Sequence, residues 1–240
     1  MKKTLLLGVV VLVMMSSTLM AAPIACPTTG SMATLLALDG TGCLINGLLF
    51  SSFTFTPSAT GSGMMPTAAQ MTYTLDDPGT STGTGQLIYG FEFNPDLSLI
   101  GVVSEDILIN YTIMAPSPMI SSIHVLENAT VTTGGTAIVS EGPDRGCTGA
   151  DTGCTFLPIV SVTPANPHQD LLGIGPFTEL DVSKDINVTG STANSIAAIS
   201  QVRDSVDLAV TVPEPAAYIL VGACLLGLTG LVRIRKTSPK

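Results

Sequence analysis

The sequence contains no tryptophan and only four tyrosines among its 240 residues, which leaves little from which to build an exposed aromatic platform for stacking sugar rings. Basic residues are nearly missing from the middle. Only Arg145, Lys184 and Arg203 lie between Lys3 and Arg233, against 17 acidic residues before Glu214, so the body carries a net charge of −14. A surface of that sign repels nucleic acid, and no nucleic-acid partner is expected. Long straight-chain helix formers are also scarce there, whereas Thr, Ser, Gly, Pro and β-branched residues abound. That is the composition of strands and turns. No C-x-x-C pair occurs, and His124 and His168 stand at no ligand-like spacing from the cysteines, which argues against a structural zinc site.

The two ends differ from the body. The chain opens with Lys2 and Lys3, an apolar stretch over residues 5–15 and then small residues. A positive start followed by an apolar run too short for a comfortable membrane span has the build of a secretory signal peptide. It is expected to occupy residues 1–22, or to reach residue 25 if Cys26 became the first residue of a lipoprotein. The absence of a Leu three residues before Cys26 counts against the second form. At the other end, residues 216–232 form a run without charge, flanked by Tyr218 near one edge and by Arg233, Arg235 and Lys236 at the other. As a helix rising about 1.5 Å per residue it spans roughly 25 Å, close to the thinner end of a hydrocarbon core. The basic tip places that end in the cytoplasm and the preceding domain outside.

The order Pro213-Glu214-Pro215, apolar helix with Gly222, Gly227 and Gly230, then Arg-rich tip resembles the PEP-CTERM sorting signal. The likeness covers about 28 residues, and it departs from the pattern where Ile234 interrupts the tip and Thr237-Ser238-Pro239-Lys240 follows it. The resemblance implies an exosortase as processing partner, an integral-membrane enzyme cutting near the Pro-Glu-Pro. Pro213, Glu214 and Pro215 are then the recognition element, with Arg233, Arg235 and Lys236 as the inward anchor. Physically, two prolines hold the segment extended just outside the membrane, and the glycines leave flat helix surface for a neighbouring membrane helix. Gly42-Cys43, residues 49–59 and Lys184-Asp185-Ile186 also resemble a recurrent type of PEP-CTERM exported protein, a type that implies no activity.

Between the ends, residues 26–211 are expected to form one exported domain, and residues 212–240 the sorting tail. Four cysteines remain outside the apolar tail: Cys26, Cys43, Cys147 and Cys154. An even number in an oxidising compartment points to disulfides. Three connectivities exist, and closeness in sequence favours Cys26–Cys43 and Cys147–Cys154. Short apolar runs separated by turn residues follow. Phe53 and Phe55 alternate with Thr, and Pro57 with the Gly61-Ser62-Gly63 stretch is expected to end that strand. Further strands are expected at 70–75, 86–93, 105–114, 120–126, 129–132, 136–140, 156–162, 179–188, 196–202 and 206–212. Residues 195–207 also fit a helix through Ile196, Ile199, Val202 and Val206, but their β-branched content favours strand. The expected fold is all-β, an antiparallel β-sandwich ectodomain between a signal peptide and a single C-terminal transmembrane helix.

No catalytic constellation emerges. Gly79, Ser81 and Gly83 match G-x-S-x-G, but a turn precedes and a loop follows where a nucleophile elbow needs a strand and a helix. His124 sits in a strand pattern. His168 reads as part of a loop beside Asp170, with no activated nucleophile near it in sequence. The acidic pairs Asp76-Asp77 and Glu105-Asp106, and Asp144 with Asp151, match no calcium loop. Glu105 and Asp106 would point to opposite faces of a strand. Three N-x-Thr sequons, at Asn110, Asn128 and Asn187, read as coincidence beside a bacterial tail. No catalytic, cofactor or metal residues are therefore assigned. The expectation is a non-catalytic surface or exopolysaccharide-associated protein, anchored in the inner membrane facing the periplasm and then released to the cell surface. The alternative is a carbohydrate-binding or adhesion module, and a hydrolase with a hidden site ranks below it.

Overall fold

The computed structural model describes residues 22–38, 40–61, 63–76, 88–115, 120–145 and 155–208. The signal segment 1–21, the sorting tail with Pro213, Glu214, Pro215, Arg233, Arg235 and Lys236, the pair Cys147 and Cys154, and the Gly79–Gly83 match lie outside the described residues. No helix among the described residues is long and apolar enough to cross a membrane.

Two sheets pack face to face. The first runs, in spatial order, β1 (Ile24–Ala25), β3 (Cys43–Ile45), β4 (Leu48–Thr60), β8 (Ser104–Met114), β14 (Glu179–Gly190) and β10 (Gly135–Arg145). Its far edge is made by β11 (Thr155–Phe156) and β12 (Val160–Val162), both on β10. The second runs β13 (His168–Phe177), β9 (Ile120–Val131), β15 (Ile196–Leu208), β6 (Ile88–Asn94), β5 (Thr72–Asp76) and β2 (Thr29–Ser31), with β7 (Leu97–Ile100) on β15 beyond β6. Among the described residues every strand pairing is antiparallel except β1 on β3. A single turn of helix, α1 (Met32–Leu36), caps one end with Met32 and Leu35 buried. The fold is thus a β-sandwich.

Alternation explains the core. In β8 the buried positions are Glu105, Ile107, Ile109, Tyr111 and Ile113, every second residue, so Asp106 faces outward as strand geometry requires. From the facing sheet Phe91 enters the middle of an aromatic group, with ring centroids 5.1 Å from Phe50, 5.8 Å from Phe53 and 5.5 Å from Tyr73. Edge-to-face rings of this kind add about 0.5–1.5 kcal/mol each beyond the area they bury. Phe50 and Phe53 could not share a face in a regular strand, because they are three residues apart. A bulge resolves the conflict: Ser52 adopts φ 58° and the register against β8 shifts between Ser51 and Thr54. The first hairpin is closed by Asn46 and Gly47, with φ 48° and 88°, the left-handed pair that a two-residue turn demands.

Several expectations are corrected. β4 runs through Pro57 to Thr60. Pro57 faces β8 in register with Ile107, while β3 pairs with β4 only as far as Phe50. Its missing N–H therefore sits on a free stretch of strand edge. The expected strands 120–126 and 129–132 are one strand, as are 196–202 and the described part of 206–212, whose residues 209–212 lie outside the described residues. The expected strand 156–162 is two short pieces, and β7 was unanticipated. The segment around His168, expected as loop, is the start of edge strand β13. Cys26 and Cys43 are bonded, 17 residues apart in sequence. Closing a loop of that length contributes about 3 kcal/mol in the chain-entropy account.

Candidate functional site

The outer face of the second sheet carries a chain of acid and imidazole. His124 of β9 lies between Asp170 of β13 and Ser205 of β15 in the ladder. It donates through Nδ1 to Oδ1 of Asp170 at 2.7 Å, and its Nε2 stands 3.0 Å from Oδ2 of Asp207. His168, two residues before Asp170 and on the same face, brings its Nε2 within 2.7 Å of the same Asp170 oxygen. Two strand periodicities thus assemble Asp207, His124, Asp170 and His168 in a line from buried to exposed: the side chains are 1%, 11%, 32% and 53% exposed. The Nδ1 contact is a hydrogen bond, whereas Nε2 and Asp207 Oδ2 lie close without forming one. One ligand atom from each of His124, His168 and Asp170 lies within 4.8 Å of the others. Such nitrogen and oxygen donors suit zinc and its neighbours, with Asp207 placed to orient His124 from its far nitrogen. Beside this line, Arg203 donates to Glu92 at 3.1 Å and stands 3.5 Å from Asp76. Burial pushes the Asp76 carboxyl up, and Arg203 pulls it back down.

A second polar group lies inside the sandwich. Lys184 of β14 and Glu141 of β10 are directly opposite in the ladder and both point inward. Lys184 Nζ donates to Glu141 Oε2. Across the gap between sheets, Asp204 of β15 brings Oδ2 to 3.4 Å from the same nitrogen. All three side chains are closed to solvent. Burial lowers the Lys184 ammonium's pKa, while Glu141 opposes that. Burial, and after it the Asp76 charge, holds the Asp204 carboxyl well above the ordinary carboxylate range. One ammonium and two carboxylates in a water-free core cannot all be charged cheaply, so the group sheds charge.

Sequence spacing sets His168 beside Asp170 but leaves His124 apart from them and gives no sign of Asp207. Lys184 stands out in the sequence only through a resemblance, and Glu141 and Asp204 carry no assignment there. A signal for the interior three existed: each interrupts an alternating apolar row at an inward position. Lys184 falls among Leu180, Val182, Ile186 and Val188, Glu141 beside Val139, and Asp204 between Val202 and Val206. Of the disulfides, Cys26–Cys43 is formed.

No protein-family model matches the chain, and no curated protein matches it. Among solved structures, the carbohydrate-binding module TmCBM61 in complex with beta-1,4-galactotriose aligns over 62% of this chain and 86% of its own, with 9% identity and a TM-score of 0.32. The enzymatically active domain of Bacteriophage CBA120 tailspike protein 4 aligns over 61% of this chain and 19% of its own, with 14% identity and a TM-score of 0.25. What fold and site define together is a two-sheet antiparallel β-sandwich with one acid–imidazole line outside and one ionic triad inside.

Proposed function

We propose that the chain is a non-catalytic structural protein of the cell surface or extracellular matrix, exported through its N-terminal signal and sorted through its C-terminal tail by an exosortase. The observation that carries this reading is the order of parts along one chain. A signal-like leader precedes a disulfide-closed sandwich that begins at Ile24. After the last described strand ends at Leu208 come, in sequence, Pro213-Glu214-Pro215, the apolar run and the basic tip. A disulfide joining the first strands supports an oxidising destination. The net charge of −14 over the body, from 17 acidic and three basic residues, supports a hydrated surface rather than an adherent one. Among the described residues the exposed large apolar side chains are aliphatic or methionine, such as Ile100, Val102 and Met64, and none is aromatic. That favours a structural element of an exopolysaccharide layer over a module that stacks sugars on aromatic rings.

The test is the C-terminal residue of the protein recovered from a host with and without an exosortase. The expected result is a chain ending near Glu214 when the enzyme is present, and a membrane-retained full tail when it is absent or when Glu214→Ala is introduced. Protein found in the cytosol with both ends intact and Cys26 and Cys43 free would overturn the proposal.

A further inference from the structure

Between Lys3 and Arg233 the chain holds a single lysine, Lys184. Lysine ordinarily keeps its ammonium in water. Here the side chain is fully enclosed, wedged between a carboxylate on the neighbouring strand and a second carboxylate on the opposing sheet. Such a pair of acids around one amine is a poor stabilising device, because desolvation of three ionic groups outweighs their attraction. It is, however, the arrangement that a condensation reaction needs.

We propose that Lys184 and Asp204 are joined by an intramolecular amide bond, formed by the folded protein itself with Glu141 as the proton carrier. Asp204 Oδ2 is 3.4 Å from Nζ, which holds the carboxyl group against the amine that is to attack its carbon. Burial favours the neutral acid at Asp204 and the neutral amine at Lys184. A neutral amine has a lone pair, and a neutral carboxyl group is the better electrophile. Glu141 accepts a proton from the ammonium. The Nζ lone pair then attacks Cγ of Asp204 and a C–N bond forms. Glu141 delivers its proton to the carboxyl oxygen that departs and takes another from the nitrogen, and the C–O bond breaks to release one water. An ammonium, a carboxylate and a neutral acid enter; an amide, a water and a neutral Glu141 leave. Atoms and charge balance, no external reactant is needed, and the interior ends without ions. The bond would tie β14 of one sheet to β15 of the other, fastening the two layers covalently. It rests on the interior triad alone and stands or falls apart from the sorting tail.

The test is peptide mapping of the reduced and alkylated full chain after trypsin. The expected result is a branched species, one water lighter than its parts, in which the chain is uncut after Lys184 and is joined to the peptide beginning at Asp204. Lys184→Met, Asp204→Ala and Glu141→Gln should each abolish the branch. Cleavage after Lys184 with every peptide at its sequence mass would overturn the proposal, as would fragmentation that maps the bond to Glu141. The wild-type map decides the matter even where a variant fails to fold.

Discussion

The outer line of Asp207, His124, Asp170 and His168 and the inner triad of Lys184, Glu141 and Asp204 use similar groups in opposite settings. Both set nitrogen bases against two carboxylates, on flanking strands of one sheet outside and on one neighbouring strand and the opposing sheet inside. Outside, the line grades from a closed Asp207 to a half-exposed His168, so water can screen charge at its open end. Inside, all three members are closed to solvent, and ionisation itself becomes the variable. The difference teaches that depth, rather than residue type, decides whether such a cluster is a surface ion pair or a chemical arrangement.

Substitutions should separate the two regions by size of effect. Lys184→Ala leaves Glu141 and Asp204 facing each other with neither the amine nor the proposed cross-link between them, and is expected to cost at least about 3–5 kcal/mol by denaturant unfolding. A loss below about 1 kcal/mol would show that the interior tolerates the bare acids and would erase the contrast. Next comes Glu127, buried on β9 with neither oxygen hydrogen-bonded and pushed up to about 7 by burial. The unfolded chain ionises it near 4.5. Between those two values the folded state binds the extra proton, so its contribution is fully present below pH 4.5 and is lost as pH rises to 7. The expected fall in stability across that window is at most about 3 kcal/mol, and Glu127→Gln should flatten it. A wild-type profile already flat there would remove Glu127 from the account.

On the outer face the effects should shrink along the line. His124→Ala strands the closed Asp207 carboxylate and is expected to cost about 1–3 kcal/mol. His168→Ala breaks only a half-exposed contact with Asp170 and should cost under about 1 kcal/mol. If thermal unfolding ranked His168→Ala above His124→Ala, the gradient from buried to exposed would not govern this face.

Much of the strand pattern was legible because each β-strand writes its two faces into consecutive residues. Ile107, Ile109 and Tyr111 share a face as their spacing demands, and residues 196–208 settled as strand although a helical period was also present. β13 was illegible: Gly173 and Gly175 break its apolar rhythm, and as an edge strand with few buried residues it never needed a strict alternation. Ser52 was equally silent, since a bulge is chosen by what Phe50 and Phe53 must both reach. Asn46-Gly47, by contrast, is a hairpin signal readable from the two residues alone.

By itself the sequence determined an acidic, strand-rich body with alternating faces, since composition and period two are local properties of the chain. It also contains the chemistry of the two ends on which the proposed address rests. Only the tertiary structure decided that His124 meets Asp170, and that Lys184 meets both Glu141 and Asp204. Alternation says which way a side chain points. Which strand lies beside it, and which sheet lies over it, is set by the packing of apolar faces drawn from distant parts of the chain.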